Sequence, residues 1–341
     1  MTYQSQSGFV GFKRQTVKGT YKDPGAVAPD QGVFVRTRSG SIGGNRDLLV
    51  PDPEIGGNRD VPDAQLGPLH FSGDYNIYLR MESAAFFLAC ALGGVASAGA
   101  ATTGYTHTIA PTNHVPWVSV EEQIADQYQN FKFTDCKVNT FHMEAAADGY
   151  LMGTVGMVGL GQAIDSTPTL DVAKRWDTSG LITGTSVLVK WNGVNLPAKS
   201  FKFDVNNNME VNDYRLGSLF LGDAPEKRRE VTMGCTIRPE DSALWKTAMW
   251  GGPAATVPGG RTTKSPAVIT ITSYEVIPGS TAPPVFYSLN INIPQAVIAP
   301  FAVAPSGDDI VQHDLEIRAL RPDPSVDLLS AVVVNSFATM P

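Results

Sequence analysis

Cysteine is scarce. The chain holds three in 341 residues, an odd number that cannot close into a disulfide framework. Cys136 and Cys235 stand in apolar runs and Cys90 in an apolar helical stretch, so buried free thiols are expected, as suits folding in a reducing compartment. Histidine is sparse as well. His70, His107, His114, His142 and His313 are scattered, with no Cys or carboxylate pattern beside them at metal-ligand spacing, so the sequence predicts no metal site. Gly-x-Ser-x-Gly and His-Glu-x-x-His are both missing, and with them two common hydrolase signatures. Carboxylate pairs such as Glu121-Glu122 and Asp308-Asp309 read as exposed edges or turns. No catalytic residue and no cofactor is expected.

Positive charge is also short. Lys plus Arg is 26 against 33 for Asp plus Glu, a net charge of −7, which gives no bulk attraction to nucleic acid or to an anionic membrane. The basic triplet Lys227-Arg228-Arg229 lies between Glu226 and Glu230 and reads as a salt-bridged loop. The uncharged stretch Ala84 to Ala101 approaches spanning length, but Gly93-Gly94 breaks it and alanine dominates it. It reads as a buried helix followed by a small-residue loop. Met1 to Val10 lacks the basic start and apolar core of a secretory signal.

Glycine and proline, by contrast, are plentiful at 33 and 24. They separate short β-branched and aromatic runs, the pattern of a mainly β, β-rich α+β protein. One sentence of sequence is written twice. When Gly94 is laid on Gly252, Arg80 falls on Arg238, Glu82 on Glu240, Ala85 on Ala243 and Gly93 on Gly251. In both copies a strand end leads into a short helix closed by two glycines. Pro239 suits a first helical position, with Glu240 and Asp241 at the positive end of the dipole. At the same shift, Tyr128-x-x-Phe131-x-Phe133 meets Phe286-x-x-Leu289-x-Ile291, and Gly149 meets Gly307. The repeat predicts two tandem units.

The expected organisation is an N-terminal arm (1–32), a first β unit (33–165), a linker (166–184), a second β unit (185–322) and a C-terminal tail (323–341). The arm is polar and reads as extended, unable to build a core by itself. Ser39 to Asp63 reads as a long loop carrying the short repeat Gly43-Gly44-Asn45-Arg46-Asp47 and Gly57-Asn58-Arg59-Asp60. It lacks the Lys-Ser/Thr and the strand-to-helix setting of a phosphate cradle. Leu69 to Met81, Tyr105 to Ile109, Trp117 to Ile124 and Phe131 to Val138 read as strands. Phe141 to Ala145 and Tyr150 to Val158 flank the Asp148-Gly149 hairpin turn. Gly156-x-x-Gly159-x-Gly161 reads as a glycine-thinned strand, since its spacing differs from a dinucleotide fingerprint. In the second unit, Pro197 to Val205 alternates, and Asn206-Asn207-Asn208 reads as a turn into the loop Met209 to Asp223. The apolar tail predicts packing on its own subunit or on another.

From Leu196 to Gly252 the order of motifs resembles the tail tube (major tail) proteins of bacteriophages with long, non-contractile tails. Leu196 to Glu210, then Tyr214-Arg215-Leu216-Gly217-Ser218, then the strand-helix-glycine unit carry the resemblance. Phe71-Ser72-Gly73-Asp74-Tyr75 before Leu79 to Gly94 adds the first unit. The resemblance implies two tandem β-sandwich or open-barrel units, each with one flanking helix, whose inner sheets join between subunits into a ring with a continuous β-barrel. It implies a structural virion protein, not an enzyme, polymerised as stacked rings in the virion tail after assembly in the host cytoplasm. Two units per chain favour a trimeric ring with pseudo-sixfold symmetry over a hexamer. Implied partners are further copies of the chain, tail terminator and tail-tip proteins. The tape-measure protein and double-stranded DNA would pass through the lumen without specific binding, and no membrane is implied. Part of the negative excess is expected to face that lumen. Candidate inter-ring contacts are Gly43, Arg46, Asp47, Gly57, Arg59, Asp60, Tyr214 and Arg215. The alternatives are another virion part (tail terminator, minor tail or capsid decoration protein) and a carbohydrate-binding β-sandwich using Trp117, Trp176, Trp191, Trp245 and Trp250.

Overall fold

The computed structural model describes residues 8–26, 31–52, 55–56, 60, 63–124, 129–165, 176–280, 283–303 and 310–340. Gly57, Arg59, Tyr128, Gly307, Asp308 and Asp309 lie outside them, as does most of the expected linker. The first half runs β1 (Phe9–Arg14), β2 (Val33–Val35), β3 (Thr37–Gly40), β4 (Gly43–Leu49), β5 (Gln65–Tyr78), α1 (Met81–Leu92), β6 (Gly93–Ala100), β7 (Gly104–Pro111), β8 (Val118–Ile124), β9 (Gln129–Ala146) and β10 (Met152–Asp165). The second runs β11 (Val187–Trp191), β12 (Val194–Asn195), β13 (Ala198–Asn206), β14 (Glu230–Ile237), α2 (Ala243–Trp250), β15 (Ser265–Val276), β16 (Phe286–Ile298), β17 (His313–Ala319) and β18 (Ser330–Asn335). The protein is mainly β, and its hydrogen-bonded strands do not close into a barrel within one chain.

The two halves pair their strands in the same order, always antiparallel. In the first, β1, β8, β9, β10 and β5 are successive neighbours, with β3 and β4 on the far edge of β5. In the second, β11, β15, β16, β17 and β14 follow the same path, with β13 on the far edge. β9 is long enough to serve two sheets. Its N-terminal part pairs with β8 and its C-terminal part with β13, which joins the halves. A sheet therefore runs from β3 and β4 through β5, β10, β9, β13, β14 and β17 to β16. The C-terminal strand β18 is wedged between β16 and β7, so the apolar tail packs on its own chain.

Alternation explains the core. Ile77, Met143, Phe203, Met233, Ile317 and Ile298 lie on one face of this sheet and are all buried, as the two-residue period of a half-buried strand requires. α1, apolar apart from Glu82 and Ser83, is buried along its whole length, whereas α2 buries only Thr247 and Ala248. Glycine ends both helices at positive φ, 107° at Gly93 and 83° at Gly251, a backbone region that other residues enter at a cost.

Several expectations are corrected. The N-terminal arm contributes β1, whose Phe12 is fully buried against Tyr75 and Phe87, because ladders to β8 on one side and β2 on the other bury the strand from Phe9 to Lys13. The Ser39 to Asp63 loop contains β3 and β4, which extend the edge of β5. The small-residue loop after α1 is the strand β6. Phe131 to Val138 and Phe141 to Ala145 form one strand, β9. α2 starts at Ala243, leaving Pro239 and Glu240 ahead of it, and Asp241 accepts the Ala243 N–H at 2.8 Å. Glu121 and Glu122 are buried. Asn130 donates to Glu121 at 2.8 Å and the Tyr75 hydroxyl to Glu122 at 2.8 Å, and burial raises the Glu122 carboxyl above its ordinary range.

Candidate functional site

The face of the joined sheet opposite the core is polar and open. Asn76, Thr154, His142, Asp204, Thr232 and Arg318 lie side by side in one row, and Tyr78, Met152, Glu144, Lys202, Gly234 and Glu316 in the next. Asp74 and Glu230 face the same way in a third row, and Asp314 in a fourth. Carboxylates at Asp74, Glu144, Asp204, Glu230, Asp314 and Glu316 thus outnumber the bases Lys202, Arg318 and Arg38, the last lying over the Tyr78 ring. Asn76, Thr154, Thr232 and Gly234 are small or amide-bearing, and His142, Tyr78 and Met152 are the larger side chains of these rows.

The junction between halves is fastened on this face by charge. His142 Nδ1 lies 2.5 Å from Asp204 Oδ1 across the β9–β13 ladder, and Nε2 lies 3.2 Å from Glu144 Oε2. The hydrogen bond to Asp204 raises the His142 pKa first, with Glu144 adding to it, against the opposing effect of burial. A raised folded pKa stabilises the fold fully below the unfolded value near 6.5 and loses that contribution as pH rises through the folded value. The melting temperature of the wild type should therefore fall relative to His142→Gln as pH is taken from about 6 to 9. Parallel pH profiles for the two proteins would refute this.

A second fastening lies behind the sheet, at α1. Asp177, buried, accepts the Ser83 N–H at 2.7 Å in the first turn of the helix, where a carboxylate meets the positive end of the dipole. Arg80 donates to the Ser179 carbonyl. At the other end, Asn207 donates to the Ala91 carbonyl at 3.0 Å, and Arg229 donates to Asn207 Oδ1 at 2.9 Å and the Thr112 carbonyl at 3.0 Å. The connection ahead of β11 thus caps one end of the first helix, and residues of the second half cap the other. Asp177→Ala should cost about 1–3 kcal/mol by leaving a buried N–H unpaired, read as a lower urea midpoint, and Asp177→Asn should recover part of it. An unchanged midpoint in Asp177→Ala would contradict this role.

The expected contact residues fall into separate groups. Gly43, Arg46 and Asp47 lie in β4, an exposed strand, and Arg46 donates to the Gly67 carbonyl at 2.7 Å. The loop 209–223 crosses to the same region. Leu69 and Phe220 form a bridge, and His70 Nδ1 lies 2.6 Å from the Tyr214 hydroxyl. Asn45 pairs with His70 in the β4–β5 ladder, so β4 and Tyr214 meet at His70. Arg215 pairs with Asp213 at 2.8 Å, and Asp60 is exposed elsewhere in the long connection. In the repeated unit, Glu82 is buried and accepts from Ser336, whereas Glu240 is exposed. Gly94 opens into β6 and Gly252 into an irregular loop.

The remaining candidates have structural surroundings. His107 is buried among Ser97, Asn335 and the Phe337 carbonyl. Cys90, Cys136 and Cys235 are free and buried. Within the basic triplet and its flank, Lys227 pairs with Glu210, and Glu226 takes Lys137 at 2.8 Å. Trp245 packs edge-on against Trp250, Trp176 lies tilted against Phe34, and Lys18 and Lys137 lie over Trp117, so these tryptophans form no common platform for a sugar ring. Among the described residues no cluster of His, Cys, Asp and Glu is placed to hold a metal, and no helix is long and apolar enough to cross a membrane. Asp177, Asn207 and the His142–Asp204 pair were not singled out by sequence, because their partners lie far along the chain. The Asn206-Asn207-Asn208 run was the one visible signal, and it marks the turn, with Asn208 at φ 47°.

Comparison with protein families gives a match over residues 5–319 to the family described as phage tail tube protein. Comparison with curated proteins gives no match.

Proposed function

This chain belongs to the phage tail tube protein family, and from that we propose that it polymerises as stacked rings into the tail tube, a conduit for the tape-measure protein and for genome ejection. The carrying observation is the joined sheet. The β9–β13 junction ties one half to the next, and the two outer edges of the sheet stand without a further partner strand among the described residues. These edges are residues 37–43 in β3 and the start of β4, and residues 297–303 at the end of β16 and just beyond. Repeating the same junction between copies pairs 297–303 of one chain with 37–43 of the next. Such head-to-tail pairing closes a ring and removes both edges.

The duplication of sequence and the repeated strand order favour three chains per ring with pseudo-sixfold symmetry. The polar rows then line the lumen, where excess carboxylate repels phosphate and small side chains leave DNA little to grip. Gly43, Arg46, Asp47, Tyr214 and Arg215, with the connection carrying Gly57, Arg59 and Asp60, contribute ring-to-ring contacts. The tail terminator and tail-tip proteins cap the stack, and assembly takes place in the host cytoplasm. Electron microscopy of the purified protein over a concentration series tests this reading. Long hollow tubes are expected, and single rings that never elongate would favour a terminator instead.

A further inference from the structure

We propose that the open groove beside α2 is the seat for the chain segment preceding β1, residues 1–8, of a second copy; this inference rests on the ring reading above. The groove lies between the β11–β12 hairpin and the start of the helix. It is lined by Val194, Leu196, Arg238, Ala243, Leu244 and Thr247. Its counterpart in the first half is already filled.

There, the segment just ahead of β11 runs from the edge of β2 to the start of α1. Trp176 bridges Phe34 of β2, Asp177 takes the Ser83 N–H, and Arg80 donates to the Ser179 carbonyl. The sequence repeat sets Arg238 on Arg80. Arg238 is exposed and has no hydrogen bond or ion pair among the described residues. Val194 in β12, the counterpart of β2 beside β11, is 68% exposed. The same contrast holds for the helices, α1 being wholly buried and α2 buried only at Thr247 and Ala248 and otherwise half-buried or exposed.

The occupant follows from strand equivalence. β1 pairs with β8 as β11 pairs with β15, so the segment ahead of β1 corresponds to the one that fills the first seat. Its own chain cannot supply it to α2, because β1 is committed to β8 in the first half. The next copy presents it there when the β9–β13 junction is repeated between chains. A guanidinium donating to a backbone carbonyl and an apolar trough beside it suit an extended peptide of neutral, small and aromatic residues, and Met1 to Gly8 carries no charged side chain.

Two measurements test the seat. Arg80→Ala should lower the melting temperature of the monomer, since its partner lies within the chain. Arg238→Ala should leave it unchanged but raise the concentration needed for tube assembly roughly tenfold, the loss of about one charge-assisted hydrogen bond per interface. Separately, Thr2→Cys and Ala243→Cys chains are mixed, assembled and treated with a short bismaleimide; the three native cysteines are buried. A cross-linked pair containing one chain of each kind is expected. Tubes that form without that cross-link, or Arg238→Ala assembling at the wild-type concentration, would overturn the seat while leaving the tube reading intact. A chain that never assembles would overturn both.

Discussion

Replacing Phe12 by alanine is expected to destabilise the protein by about 3–5 kcal/mol, the cost of deleting a buried aromatic ring and leaving its cavity. The ring is fully buried, with Tyr75 at 5.4 Å and Phe87 at 5.0 Å between centroids in edge-on contact, so it carries aromatic pairing as well as buried area. It also links three elements, since β1 brings it onto β5 and α1. The measurement is the midpoint of urea unfolding. A loss below about 1 kcal/mol would be the behaviour of an exposed position, and would mean that β1 does not belong to the core.

Replacing Ala302 by proline is expected to leave the monomer intact and abolish tubes at concentrations where the wild type forms them. The Ala299 N–H donates to the Glu316 carbonyl at 2.7 Å, toward β17. With the alternation of a strand continued, the Ala302 N–H points to the opposite, unpartnered edge. Proline removes that donor and crowds the approaching strand, and leaving the partner carbonyl unsatisfied costs about 1–3 kcal/mol, roughly ten- to a hundredfold in assembly constant. Ala302 is exposed, so unfolding should move by less than about 0.5 kcal/mol. Sedimentation and electron microscopy read the assembly. Wild-type tubes from Ala302→Pro would place the subunit junction elsewhere.

What the sequence disclosed was local. The Asp148-Gly149 pair marked the connection between β9 and β10, where the Gly149 N–H donates to the Ala146 carbonyl at 3.0 Å, because both residue types suit turns. The paired glycines marked both helix ends because their backbone angles are a property of those residues. What it hid was relational. Phe9 and Phe12 stand isolated in a polar stretch, and only pairing with β8, far along the chain, makes that stretch a core strand. β4 is exposed at every residue, so it shows no hydrophobic period, and its strand character comes from the ladder to β5. Glu121 and Glu122 read as surface because their partners Asn130 and Tyr75 were not visible as neighbours. The candidate surface followed the same division. The acidic excess was legible as composition, while its placement in rows on one face required the registers of the joined sheet.

In the proposed tube the polar face of the joined sheet lines the lumen. A high-resolution electron microscopy map of assembled tubes tests it most directly. The row Asn76, Thr154, His142, Asp204, Thr232 and Arg318 is expected to face the lumen, with residues 297–303 of each chain paired antiparallel to 37–43 of the next. A map with this row on the outer surface, or with those two edges apart, would contradict it.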